Sequence, residues 1–592
     1  MKQRAEFAGV AMLAAASLAA MAWGGPRPGE LRFSLLPSGA SEPAGASANF
    51  AGKLPIHELN EEEAILHALN RLGFGPRPGQ VEQIEKAGLE NWIQAQLHPE
   101  NISDPVVDAR IAQLPAMGLG AAGLLDQFPP QDVAAKRLGI KVEEYQKRLQ
   151  EQARQAGHAN SAPGGFAPFS SVPFRDPNAI VSDLMEAKMI RAVYSERQLS
   201  EQLADFWFNH FNIFVYKDLD RWYLIPYERD AIRPHVLGKF RDLLEATAKS
   251  PAMLFYLDNS SSADPEAFAR LKLHPVHVRP GEKLPPLGAK RGLNENYGRE
   301  LMELHTLGVD GGYTQDDVIA VARAFTGWTI VSPRENPAFY FDERIHDPDP
   351  KRVLGKKIKA GGIKDGEQVL DLLSKNQQTA RHISLQLAEH FVSDDPPAAL
   401  VARMAKTFEK SKGDIRAVMT TMIYSPEFWS QAAFRAKVKT PFELVASTAR
   451  ALGADVDQPL QLAQWVARIG EPLYQCLPPN GYSYKAAAWV STGALLNRVN
   501  FAVALTSNKV RGAQVDINSL VGADVGANSG LALQRIEGEF LAGQISDSTR
   551  ITLEKEMTEP RILGAKLDDP VTHVNVSLIT GLVLGSPEFQ KR

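Results

Sequence analysis

RQLSEQLADFWFNHFNIF, residues 197–214, decides the fold class. Leu199, Leu203, Phe206, Trp207, His210, Phe211 and Phe214 recur at intervals that line one face of a helix and cannot share one face of a strand. The same spacing continues in both directions. It predicts a helix over 61–72, ended by Gly73-Phe74-Gly75-Pro76, and others over 79–97, 131–156, 180–214, 228–249, 293–307, 315–326, 366–392, 396–411, 413–424, 440–452 and 485–506. Strand signals are sparse. The clearest runs from Ala338 to Ile358, where two short apolar stretches flank Asp347-Pro348-Asp349-Pro350 in the manner of a hairpin. The expected fold is mainly α, a large multi-helix domain with a small β-hairpin element. Long Pro/Gly-rich loop insertions interrupt it at about 158–178 and 260–292.

Composition narrows the function classes. The chain has 592 residues, 44% hydrophobic and 23% charged, in the ordinary globular range. Its 65 basic and 69 acidic residues show no basic excess, so no nucleic-acid partner is expected. The single cysteine, Cys476, excludes an internal disulfide, a multi-cysteine zinc site and an all-cysteine iron–sulfur cluster. Any metal would be held mainly by His, Asp, Glu or backbone groups.

Residues 1–22 are laid out as a signal peptide. Lys2 and Arg4 precede an uncharged apolar run from Phe7 to Gly24, and Ala20-Met21-Ala22 offers a small-x-small cleavage pattern before Trp23. The run is short for a membrane span, so the mature chain is expected to lack a stable one and to be periplasmic or secreted. Anchoring by an uncleaved signal segment is the alternative. Residues 23–54, rich in Gly, Pro, Ser and Ala, read as a flexible leader, and 55–592 as a single large helical domain. Within it, Met422-Ile423-Tyr424-Ser425-Pro426-Glu427-Phe428 is echoed by Leu584-Gly585-Ser586-Pro587-Glu588-Phe589, a recurrent helix-stop and serine-cap unit.

Two helices carry residues suited to chemistry. In the first, His210 falls within the aromatic stripe, with Asp205, Asn209 and Asn212 around it. In the second, LNENYGRELMELHTLG at 293–308, Tyr297, Leu301 and Leu304 form an apolar stripe while Asn296, Glu300 and Glu303 share an adjoining face. Two carboxylates so placed can bind a divalent cation, share a proton or pair with arginine. Glu295 and Arg299 have the spacing of a helix-stabilising ion pair. Thr314 and Asp317 form a capping-box variant ahead of a helix whose Arg323 can point into a site. His346-Asp347 lies in the expected hairpin, within reach of a neighbouring helix. His274 and His277 are an H-x-x-H on a loop with Pro275 between them, which lacks the helical geometry of a metal motif. Gly118-Leu119-Gly120-Ala121-Ala122-Gly123 spells G-x-G-x-x-G without a preceding strand, and no phosphate-loop, H-E-x-x-H or G-x-S-x-G motif occurs.

LHALNRLGFGP at 66–76, FWFNHF at 206–211, NENYGRELMELHTLGVDGGYTQDDV at 294–318, ARAFTGW at 322–328 and RAKVKTPFELV at 435–445 resemble the bacterial family catalogued as domain of unknown function 1800. The resemblance runs from about residue 60 to the C-terminus. It implies a large, mainly helical, exported bacterial protein of no established activity, and an exported sulfatase-like protein as a partner. Trp207, Asn209, His210 and Phe211, then Asn294, Glu295, Asn296, Arg299, Glu300, Glu303, Thr306 and Gly308, and His346-Asp347 match its pattern.

The sequence therefore supports an exported hydrolase or metal-dependent enzyme with a site where the two helices meet under the His346-Asp347 loop. Glu300, Glu303, His210 and Arg299 are the candidate catalytic residues, and Asn296, Asn209, Trp207 and Asp347 the candidate substrate-binding residues. His210, Glu300, Glu303 and His346 are the candidate ligands of a divalent metal, whose presence the sequence leaves open. The alternative is a non-catalytic scaffold or partner of the sulfatase-like protein, in which the polar helix fixes helix register.

Overall fold

Several of the expected long helices are pairs, each cut where the backbone leaves the helical region. In this computed structural model, which describes residues 53–159, 173–273, 292–522, 529–557 and 575–592, Gly88 (φ 90°) separates Gln80–Ala87 from Leu89–Leu97. Gly139 (φ 68°) likewise closes Gln131–Leu138 ahead of Val142–Ala159. The helices that position the site are α1 (Glu61–Arg71), α2 (Asn178–Tyr194), α3 (Gln198–His210), α4 (Asn296–Glu303), α5 (Gln315–Ala324), α6 (Lys364–Ser374), α7 (Gln377–Phe391) and α8 (Pro441–Ala451). Thus 180–214 divides into α2 and α3, and 366–392 into α6 and α7. The signal peptide expected at 1–22, most of the leader at 23–54, His274 and His277 lie outside the described residues, as do the middles of both insertions.

Local chemistry fixes where helices start. Reciprocal capping boxes at Asn60/Glu63, Thr314/Asp317 and Thr440/Glu443 open α1, α5 and α8. The break between α2 and α3 has no glycine. There the chain turns at Ser195, whose hydroxyl donates to Asp104 Oδ2 at 2.5 Å, and Asp104 is distant in sequence. At the other end, α3 stops at His210, short of the expected Phe214. Asn212 donates to the carbonyls of Cys476 (2.9 Å) and Pro478 (2.8 Å), and Val215 N–H to the Tyr474 carbonyl, so the chain leaves the helix to pair with that loop.

The β content differs in arrangement from the expected hairpin. Strand β1 (Trp328–Val331) pairs antiparallel with β2 (Ala338–Phe341), and β3 (Lys351–Val353) with β4 (Lys356–Ile358). Asp347-Pro348-Asp349-Pro350 therefore connects two hairpins instead of turning one. The tight turn falls at Leu354 (φ 48°) and Gly355 (φ 71°), the double positive-φ geometry that suits a two-residue hairpin. A third short pair, β5 (Asp455–Val456) with β6 (Ala513–Gln514), completes the strand pairings among the described residues. The fold is mainly α.

Buried apolar side chains from Leu59 to Phe589 pack into one continuous core. α3 contributes Leu199, Leu203, Phe206 and Trp207 to it, and Phe211 follows at its C-cap, all fully buried. Each such side chain contributes about 1.5–3 kcal/mol on removal from water. α4 and α5 touch at Gly298, where an added Cβ would lie 3.0 Å from the Ala322 nitrogen and 3.2 Å from the Val318 carbonyl. Among the described residues, no helix is long and apolar enough to cross a membrane.

Candidate functional site

His210 ends α3 in a wall of rings formed by Phe206, Trp207 and Phe211, with His305 and His382 nearby. Its Nδ1 lies 2.7 Å from the Gln386 side-chain oxygen on α7, and its Nε2 lies 3.2 Å from the His305 carbonyl. Burial, followed by the neighbouring His382, lowers its pKa to about 3, so the imidazole is neutral. A neutral imidazole has one N–H. Both contacts are satisfied when the ring donates to the His305 carbonyl and the Gln386 carboxamide is turned over to donate to Nδ1. His210 is thus a fully committed core residue that docks α3 on the end of the acidic helix.

The other aromatic-helix candidates are committed too. Trp207 is fully buried and donates its indole N–H to the Val236 carbonyl at 3.1 Å. Asn209 makes a two-way clasp with Tyr482, its amide donating to the Tyr482 carbonyl (2.8 Å) and its oxygen accepting from the Tyr482 N–H (2.7 Å). Gly481 beside it has φ 70°, and a Cβ there would lie 2.3 Å from the Asn209 carbonyl. Asp205 pairs with Lys188 of α2, whose ammonium lies 4.9 Å from the Tyr474 ring centroid. Glu471, in the same buried pocket, is pushed up to about 8 by burial and Asp205.

On α4 the picture changes. Asn296 is exposed, and Glu300 and Glu303 are half-buried. Glu303 accepts from the Tyr313 hydroxyl at 3.1 Å, and this carboxylate, after burial, pushes the phenol up to about 12. Arg299 reaches Glu295 at 3.4 Å and donates to Gln315 of α5 at 2.8 Å, which ties the two helices at the surface. Glu300 has no hydrogen-bond partner for its carboxyl among the described residues. Burial and then the Glu303 charge raise it above the usual carboxylate range, against the pull of Arg299.

The loop between the hairpins is a closed polar network. His346 Nδ1 lies 2.7 Å from the Thr326 carbonyl and Nε2 lies 3.3 Å from Asp365 Oδ2. That carboxylate accepts from Lys351 Nζ at 2.6 Å, and both members of the pair are 0% exposed. Asp347 takes Arg323 in a two-pronged pair at 2.6 and 3.1 Å and accepts from the Asp349 N–H at 2.9 Å. Burial opposes ionisation of Asp347, but Arg323 and Lys351 outweigh it and hold its pKa below the ordinary value. Arg323 does turn inward, as its position suggested, to fix the loop.

The structure thus brings His210 to the turn that follows the acidic helix, at His305, and not to the carboxylates of Glu300 and Glu303. His346 faces Asp365. The four candidate ligands His210, Glu300, Glu303 and His346 do not converge, and among the described residues no three His, Cys, Asp or Glu side chains could hold a metal ion. The ring nitrogens of both histidines are also taken by partners inside the fold. Gln386, Asp365, Lys351, Thr326 and Tyr482, which hold the candidates in place, carried no local signal in the sequence.

Fold and site together define a mainly helical protein in which a buried polar frame carries one half-open acidic helix face. The chain belongs to the family described as protein of unknown function (DUF1800), whose model matches residues 67–591. No curated protein matches the chain, and neither does any solved structure.

Proposed function

We propose that the protein is an exported enzyme of the hydrolytic, acid–base type working through the carboxyl of Glu300, with Glu303 and Arg299 beside it. Glu300 itself carries the reading. It is half-buried, unpaired among the described residues and shifted upward by burial and Glu303. The other buried candidates gain hydrogen bonds or ion pairs for their burial; Glu300 gains none. A carboxyl held out of its ordinary range where solvent reaches it has the character of a general acid or base. Tyr256 and Tyr313 both feel the Glu300 charge, which places aromatic surface near it and suits a sugar or ester substrate. A divalent cation on this face would find Glu300 and Glu303 as ligands, not His210 or His346. Export to the periplasm or beyond rests on residues 1–22.

A second reading, a non-catalytic scaffold that partners an exported sulfatase-like protein, is favoured by how many motif residues are locked into the fold. Turnover separates the two. Purified protein should release the phenol from aryl esters or aryl glycosides, and Glu300→Gln should lower that rate about 100-fold or more with the fold intact. A wild-type protein inert toward the whole panel, or a variant with normal turnover, supports the scaffold instead.

A further inference from the structure

Three stretches that the Glu300 reading leaves unused meet around one cavity. They are 66–76, 435–445 and the terminal Ser586-Pro587-Glu588-Phe589. The cavity has a volume of about 320 Å³, and His67, Lys439, Phe589 and Arg592 are among its walls. That is the size of a small-molecule site.

Lys439 and Arg592 in its walls, and Arg71 and Arg498 buried behind them, are under-paired cations. Arg592 is buried; its Nη2 meets Glu443 Oε1 at 2.7 Å and the His390 carbonyl at 3.0 Å, while Nε and Nη1 have no partner. Arg71, one helical turn beyond His67 on α1, is fully buried and donates to the Ala433 carbonyl, but its Nε and Nη1 are also unpartnered. Arg498 donates to the Lys439 carbonyl at 2.8 Å and leaves Nε and Nη1 unpaired. The buried Lys439 ammonium lies 3.9 Å from the Phe589 ring centroid and pairs with no carboxylate among the described residues. Burial and the surrounding Arg435, Arg592 and Arg498 push it down to about 7, against Glu443.

Three of the nearby carboxylates have partners of their own, though one oxygen of Glu443 and one of Glu588 stay without a hydrogen bond among the described residues. Glu443 also closes the capping box of α8, Asp394 pairs with Lys437, and Glu588 accepts from Thr549 (3.0 Å) and the Ser546 N–H (3.2 Å). Glu62, Glu82 and Glu539 also line the cavity. Buried guanidinium N–H groups without acceptors have lost their hydration for nothing. Lys439 and Arg592, both in the walls of that volume, offer it an ammonium and a guanidinium, a pair that matches an oxyanion.

We propose that this cavity binds a small oxyanion, a carboxylate- or phosphate-bearing molecule, through Arg592 and Lys439, with Arg71 adding positive charge from behind His67. The test is thermal unfolding of the full chain at fixed ionic strength, with citrate or inorganic phosphate replacing chloride. The Tm should rise saturably with one of the two anions, and the tighter of them identifies the head group. Lys439→Met should weaken that anion roughly tenfold or more. An equal response to chloride, a rise without saturation, or unchanged affinity in Lys439→Met overturns the proposal. If that variant does not fold, calorimetric titration of the wild-type chain decides. One saturable site for citrate or phosphate supports the proposal, and no binding of either refutes it.

Discussion

The loop of His346 and Asp347 and the face of Glu300 and Glu303 are both rich in charge, yet they are built oppositely. In the loop, Asp347 and Asp365 meet cations, His346 meets the Thr326 carbonyl, and Lys351 is sealed from solvent. On the acidic helix, Asn296 is exposed, Glu303 is held by one phenol, and Glu300 has no hydrogen bond among the described residues. Polar residues that close on one another stabilise a fold. A polar residue left strained and reachable costs stability, and its retention asks for a functional reason. The contrast is why we read the loop and His210 as architecture and propose chemistry on the acidic face.

Substitutions can break that contrast. The largest expected effect is in the loop, where Asp365→Asn removes the nearer counter-charge of the buried Lys351 ammonium and leaves it only Asp347, at 3.7 Å and already paired with Arg323. Denaturant unfolding should show a loss of about 3–5 kcal/mol. A loss below about 1 kcal/mol would mean that the network is not structural.

The next effect is a pH dependence. His210 has a folded pKa of about 3, below its unfolded value near 6.5, so the folded state binds fewer protons between those limits. Its contribution is present above about pH 6.5 and is lost as pH falls toward 3, at about 1.4 kcal/mol per unit. In His210→Gln the acid limb of the stability curve should be shallower by that slope; an unchanged limb would mean that the imidazole is not held neutral. The smallest effect sharpens the other side. Arg299→Gln removes a partly exposed pair, and its unfolding free energy should stay within about 1 kcal/mol of wild type.

What was legible in the sequence was local. The period of Leu199 to Phe211 gave a helix, Thr314 with Asp317 gave the cap of α5, and the spacing of Glu300 and Glu303 put both on one face. What was hidden depends on distant partners. His210 looked available because Gln386 lies 176 residues away, and the break at Ser195 depends on Asp104, 91 residues earlier. Asp347-Pro348-Asp349-Pro350 has the composition of a hairpin turn, but the positive φ angles fall at Leu354-Gly355 instead. Overall charge balance likewise hid the cations gathered around Lys439, because composition does not say where charges meet.

The most direct measurement of the central claim is the melting temperature of Glu300→Gln against wild type from pH 4 to 8. A carboxyl whose folded pKa is raised binds its proton more tightly in the folded state, so wild-type stability falls as pH rises from the unfolded pKa through the folded one. Glutamine has no such loss. The variant should therefore gain on the wild type as pH climbs through that window and hold its advantage above it. A variant less stable than wild type at every pH would show that Glu300 is another part of the frame and contradict the account.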